Sequence, residues 1–262
     1  MDLEKICTDV RRLTTETAGF IQQELNKLKV SDIEVKSENN FVTYVDKTSE
    51  TRLMEGLSKI LPGSGFIAEE SPDLQRKELT WVIDPLDGTT NFIHHIPMYC
   101  ISIALMEGND IRLGVVHELN RDECFYTWKD APSFLNGRQI RVSDTHLLKD
   151  SLLATGFPYY DFNRLDAYMH LFRYFMKHTQ GVRRIGSAAA DLAYVACGRF
   201  DGFYEYGLSP WDVAGGIILI RNAGGKVFDF KRGDNYIFGK EIIATNGLIP
   251  DEFLETFEKN FL

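Results

Sequence analysis

Leu3, Ile6, Cys7, Val10, Leu13, Ile21, Leu25 and Leu28 recur at helical spacing, which predicts an amphipathic helix over residues 3–28. A second helix is predicted over 46–61, with Asp46 as its N-cap and Pro62-Gly63 as its stop. Short apolar runs follow at 65–68, 80–83, 98–106, 111–117 and 123–128. Gly108-Asn109-Asp110, Asn120-Arg121-Asp122 and Asn136-Gly137 punctuate them as turns. Strands joined by such short connections predict an antiparallel sheet. Near residue 150 the pattern changes. Predicted strands at 151–155, 182–185, 201–206, 226–229 and 241–245 now alternate with predicted helices at 163–178, 188–197, 210–222 and 250–260. The expectation is an α+β fold of two lobes, residues 1–150 and 151–262, each a sheet covered by helices.

With 262 residues, the chain is long enough for a sizeable core. Hydrophobic residues make up 44% and charged residues 26%, the balance of a water-soluble globular protein. The apolar run at 99–106 is far too short to cross a bilayer. The opening MDLEKICTDV carries acids and no apolar signal segment, so a cytoplasmic location is expected. Cys7, Cys100, Cys124 and Cys197 are scattered, as reduced thiols would be. A net charge of −9 argues against a nucleic-acid backbone as partner. It also means that an anionic substrate would need a locally recruited positive charge.

The chemistry concentrates in WVIDPLDGTTNF, residues 81–92. Pro85 cannot donate to a sheet ladder, so the strand from Leu79 is expected to stop at Asp84. Gly88 permits a tight turn, after which Thr89 or Thr90 can cap a short helix. Asp84 and Asp87 would then face one point beside free N–H groups, a setting that receives anions. Glu69 and Glu70 end a strand-like run, and Asp212 follows Pro210 at a predicted helix start. Acids so placed suit a hard divalent cation such as Mg²⁺, which would supply the missing positive charge. Taken singly, each acid is as well explained as a cap or a solvated loop residue. The six histidines form no HxxxH or HExxH pattern, which disfavours zinc. Arg183-Arg184 reads as a solvated edge or an interface.

Together with AEES (68–71) and PWDVAGG (210–216), this string resembles the inositol monophosphatase family of Mg²⁺-dependent, lithium-sensitive phosphatases. The likeness runs from Lys36 to about residue 247 and points to a bacterial-type member with a layered α/β/α/β/α sandwich. The resemblance implies two or three Mg²⁺ per subunit, held by Glu69, Asp84, the Leu86 carbonyl, Asp87 and Asp212. It implies that Thr89, paired with Asp46, activates the attacking water alongside Glu69. It gives Gly88 and Thr89 N–H groups the phosphate, with Asp87, Gly186, Ser187, Ala188, Glu205 and Asp212 completing the substrate contacts. It also places Lys36 near the phosphate, although its spacing to Asp46 is one residue short. The segment at 155–162 departs from the animal pattern where substrate is contacted, which leaves the polyol open. The implied activity is hydrolysis of inositol monophosphate in a homodimer. Alternatives are histidinol phosphate, fructose bisphosphate, NADP or a nucleotide 3′-phosphate as substrate, or a binding role in the transcription machinery.

Overall fold

The computed structural model describes the chain apart from residues 38, 39, 72, 73, 159, 160, 250 and 262; side chains are also left aside at 30, 35–37, 40, 41, 252, 260 and 261, so Lys36 lies outside the described residues. Its helices are α1 (Leu3–Leu25), α2 (Tyr44–Ile60), α3 (Thr89–Ile93), α4 (Leu165–His178), α5 (Ala188–Ala196), α6 (Pro210–Asn222) and α7 (Asp251–Phe261). Its strands begin with the hairpin β1 (Ile33–Ser37) and β2 (Asn40–Thr43). They continue with β3 (Gly65–Ala68), β4 (Leu79–Asp87), β5 (Cys100–Glu107), β6 (Asp110–Glu118), β7 (Glu123–Trp128), β8 (Phe134–Leu135) and β9 (Arg138–Gln139). The last five are β10 (Leu152–Thr155), β11 (Gly181–Arg183), β12 (Gly202–Tyr206), β13 (Lys226–Phe228) and β14 (Glu241–Thr245).

One sheet has the order β3-β4-β5-β6-β7-β8-β9 and is antiparallel except for β3, which joins β4 in parallel. The other has the order β11-β10-β12-β14-β13, with β10, β11 and β12 parallel and β14 antiparallel to both its neighbours. Helices α1 and α2 cover the outer face of the first sheet, while α4 and α7 lie on the second. Between the sheets run α5 and α6, completing an α/β/α/β/α sandwich. Position in the layers explains the patterning. Outer α1 buries Ile6, Cys7, Val10 and Ile21 on one face. Central α6 is buried from Val213 to Ile220, as a helix covered on both sides must be. Gly215 and Gly216 let it fit. A Cβ at Gly215 would lie 2.9 Å from Ser102 Oγ, and one at Gly216 would lie 2.4 Å from Leu192 Cβ.

Several boundaries differ from expectation. Helix α1 ends at Leu25, with Leu28 packing on the core from the loop that follows. Helix α2 starts at Tyr44, so Asp46 is not its N-cap: Thr43 caps it, and Asp46 is the third helical residue of a capping box. Strand β4 does not stop at Asp84. It continues to Asp87 through a register shift against β5, and Pro85 sits in that irregularity, where a missing N–H costs no ladder bond. Helix α3 is capped by Gly88 at φ 97°, not by Thr89 or Thr90. Only the left-handed turn that glycine tolerates swings the chain from β4 into α3 here. A Cβ at Gly88 would also lie 3.0 Å from Met98 O and 3.2 Å from Gly186 O.

Candidate active site

The bulged end of β4 delivers Asp84, Leu86 and Asp87 to a cavity, and the Gly88 turn places Thr89 beside them. Glu69 after β3, Gly186, Ser187 and Ala188 at the start of α5, Glu205 on β12 and Asp212 in α6 line the same cavity. Strand ends of one sheet thus meet helix N-termini of the central layer.

Carboxylate oxygens of Asp84, Asp87 and Asp212 lie within 4.8 Å of one another. These side chains are held from several directions. Asp84 Oδ1 accepts from Leu86 N at 2.9 Å, inside the bulge. Asp87 Oδ2 accepts from Ser187 Oγ and from Ala189 N, both at 2.7 Å, which ties it to the first turn of α5. Asp212 Oδ2 accepts from Ser209 N at 2.6 Å as the third residue of the α6 capping box. Glu69 is positioned through its own N–H, which bonds Ile83 O at 3.3 Å, while Glu50 Oε2 receives the Glu70 N–H at 2.8 Å.

These acids oppose one another. Burial and then the charges of Glu69, Asp87 and Asp212 push Asp84 well above the carboxylate range. Asp212 is raised likewise by burial and by Asp87. Asp87 is raised by burial to about 6, less far because Ser187 and Ala189 donate to it. An all-oxygen donor set at this separation, short of positive charge, fits a hard divalent cation.

A second arrangement adjoins the acids. Thr89 Oγ1 lies 2.9 Å from Asp46 Oδ1 and 3.0 Å from Leu86 O. Asp46 Oδ2 accepts from Thr43 N at 2.8 Å and from Thr43 Oγ1 at 2.6 Å. Hence the carboxylate that faces Thr89 is clamped by the α2 cap, and residues 43 apart in sequence are brought into one hydrogen-bonded pair.

On the far wall, Glu205 fills the space that Gly156 leaves open. A Cβ at Gly156 would fall 2.0 Å from Glu205 Cδ. Burial raises the Glu205 carboxyl to about 8, partly offset by Arg184. An acid whose folded value exceeds its unfolded one stabilises the fold in its protonated form. That contribution is complete below about 4.5 and is lost as pH rises through about 8. Metal-free protein should therefore lose stability between about pH 5 and pH 8, by at most roughly 1.4 kcal/mol per pH unit from this group. Glu205→Gln should flatten that slope in urea melts taken across the range; an unchanged slope would assign it elsewhere.

Two cavity residues escaped sequence reasoning. Arg184 is exposed just past the edge strand β11, as a solvated edge would be, yet it also lines the cavity, and its charge bears on Asp87 and Glu205. Asp191, buried in α5, also lines it. Both stand about 100 positions from Asp87, and no local motif joins them to it. Asn91 in the TTN string bridges two segments. Its Nδ2 donates to Met98 O at 2.7 Å and to Ile185 O at 2.9 Å, holding the 185–186 segment against the β4 turn.

A family model described as "Inositol monophosphatase family" matches residues 2–260. The chain is 39% identical over 238 residues to an inositol-1-monophosphatase of Mesorhizobium japonicum, covering 90% of this chain and 88% of that one. It is 42% identical over 213 residues to the Nus factor SuhB of Escherichia coli, covering 80% of each. Its fold superposes on the crystal structure of the extragenic suppressor protein suhB from Bartonella henselae with a TM-score of 0.91 at 34% identity, covering 100% of both chains. With a family model matching nearly its whole length and a relative 39% identical over 90% of it, the chain is a member of the inositol monophosphatase family.

Proposed function

We propose that this protein is a Mg²⁺-dependent phosphomonoesterase that hydrolyses inositol monophosphate to inositol and phosphate. The observation that carries the reading is the meeting of Asp84, Asp87 and Asp212 within 4.8 Å, beside the Thr89–Asp46 pair. Glu69, Asp84, the Leu86 carbonyl, Asp87 and Asp212 would hold the metal. Bound there, Mg²⁺ would supply positive charge to the phosphate and the leaving oxygen. Thr89 donates to Asp46 and offers its oxygen to the attacking water, so a proton can pass toward a fixed carboxylate. N–H groups of Gly88 and Thr89, at the opening of α3, hold phosphate oxygens. Glu205 and the Gly186–Ala188 segment take the alcohol. Phosphoryl transfer of this kind rests on positioning and charge and needs no nucleophilic side chain. Phosphate release from inositol 1-phosphate, with and without Mg²⁺, tests the reading; no release under either condition would refute it.

The same reading extends to inhibition and assembly. Li⁺ at millimolar concentration should inhibit turnover uncompetitively with substrate, and kinetics indifferent to Li⁺ would set this chain apart from the lithium-sensitive phosphatases. The enzyme should run as a homodimer in light scattering, where a clean monomer at assay concentration would exclude it.

The likeness to proteins named Nus factor SuhB favours a second reading, a binding role in the transcription machinery. Asp84→Asn separates the two: a binding role survives that substitution, and phosphate release does not.

A further inference from the structure

Asp191 stands on the first turns of α5, is 1% exposed, and lines the cavity beside Glu205, Gly156, Ala188 and Arg184. Its Oδ1 has no hydrogen-bond partner. Three other acids of the cavity wall are held by donors: Asp84 by Leu86, Asp87 by Ser187 and Ala189, Asp212 by Ser209. A buried polar group left unbonded costs free energy, and more when it is charged. Ser187 caps α5, so Asp191 makes no capping bond there; as the acid of the first turn it gains from the helix dipole, which leaves its Oδ1 still without a donor.

We infer that Asp191 is a specificity-determining residue that hydrogen-bonds a hydroxyl of the leaving alcohol, alongside Glu205. The inference rests on the phosphomonoesterase reading above. Asp191 shares the cavity wall with Glu205, whose charge bears on it ahead of that of Asp87, and this puts it toward the alcohol side of the cavity. A hydroxyl suits it better than a cationic group. An ionised acid needs a donor and a protonated one needs an acceptor, and a hydroxyl is both. Arg184 already supplies positive charge to this wall, where it partly offsets the rise that burial imposes on the Asp191 and Glu205 carboxyls.

The test compares two esters of different leaving-group chemistry, myo-inositol 1-phosphate and p-nitrophenyl phosphate, whose aryl group carries no hydroxyl. For Asp191→Ala and Asp191→Asn, the ratio of kcat/KM for the polyol ester to that for the aryl ester is the readout. In Asp191→Ala this ratio should fall by roughly 10- to 100-fold, the scale of a lost hydrogen bond in a site built for one. Asp191→Asn, which keeps a donor and an acceptor, should fall less. Melting without substrate gives a second readout. Removing an unbonded buried acid should raise the melting temperature, whereas removing a structural residue lowers it. An unchanged ratio in active variants overturns the assignment alone. Lowered melting temperature or loss of folding in both variants overturns it too, by showing that the carboxyl supports the fold. Wild-type protein that cleaves neither ester overturns the phosphomonoesterase reading, and the assignment with it.

Discussion

Thr89→Ala should lower kcat for phosphate release by roughly 10²-fold or more, with little change in KM and with Mg²⁺ affinity retained. The hydroxyl removed is the one that lies 2.9 Å from Asp46 Oδ1 and 3.0 Å from Leu86 O. Because Gly88 caps α3, Thr89 contributes no capping bond, and a loss of helix stability cannot explain a slow enzyme. Some stability will still be lost. Asp46 is 1% exposed, and without Thr89 its Oδ1 loses that donor, a defect worth on the order of 1–3 kcal/mol. The two effects separate by rescue. Thr89→Ser restores the hydroxyl and should recover most of kcat. Steady-state kinetics and melting curves on both variants decide the matter. If Thr89→Ala turns over at a near-normal rate while melting earlier, the hydroxyl is a structural partner of Asp46 and the proton path runs elsewhere.

The part of this site that could be read from the chain is the part that is local. Asp84, Asp87, Gly88 and Thr89 lie close together in sequence, and their spacing already implied convergence at one point. Many of the elements were legible for a similar reason, since α1 and the strands from β3 to β7 carry their own periodicities, while their layered order was implied by the family resemblance. Other features were not legible. The continuation of β4 past Pro85 depends on a register shift against β5, and a proline signals only that a ladder bond is missing. The role of Asp46 in capping follows from Thr43, whose hydroxyl accepts from Val45 N as the cap while Asp46 accepts from Thr43 N as the reciprocal half of the box. Asp191 reaches the cavity because α5 lies between two sheets, and Arg184 because the segment from β11 to α5 passes the same cavity, tertiary facts with no local pattern. The hairpin of β1 and β2 was also missed, because its strands lack the apolar runs that marked the others.

Exhaustive chelation should abolish phosphate release, a fall of at least about 10³-fold, and added Mg²⁺ should restore it. Repulsion among the acids is the physical cause. Two unit charges 4.8 Å apart oppose each other by roughly 3 kcal/mol at an effective dielectric of about 20, and Asp84, Asp87 and Asp212 form three such pairs when all are ionised. Burial first, and this repulsion second, hold Asp84 and Asp212 well above the usual carboxylate range, so the metal-free protein keeps protons there. Raised acids stabilise the fold while protonated, and that contribution disappears as pH climbs through their raised values. Mg²⁺ competes with those protons. Its stabilising effect should therefore be larger at about pH 8.5 than at about pH 6, seen as a greater rise in melting temperature per unit of added metal. Asp84→Asn isolates the contribution of one carboxylate. It removes two of the three repulsions, so the metal-free variant should melt later than wild type. It also removes an anionic ligand, so the rise on adding Mg²⁺ should shrink and the rate should fall with it. Full activity after chelation would remove the cation from the reaction. A wild-type-sized Mg²⁺ response in Asp84→Asn would place the cation away from the β4 bulge, and the two aspartates around Pro85 would then need another explanation.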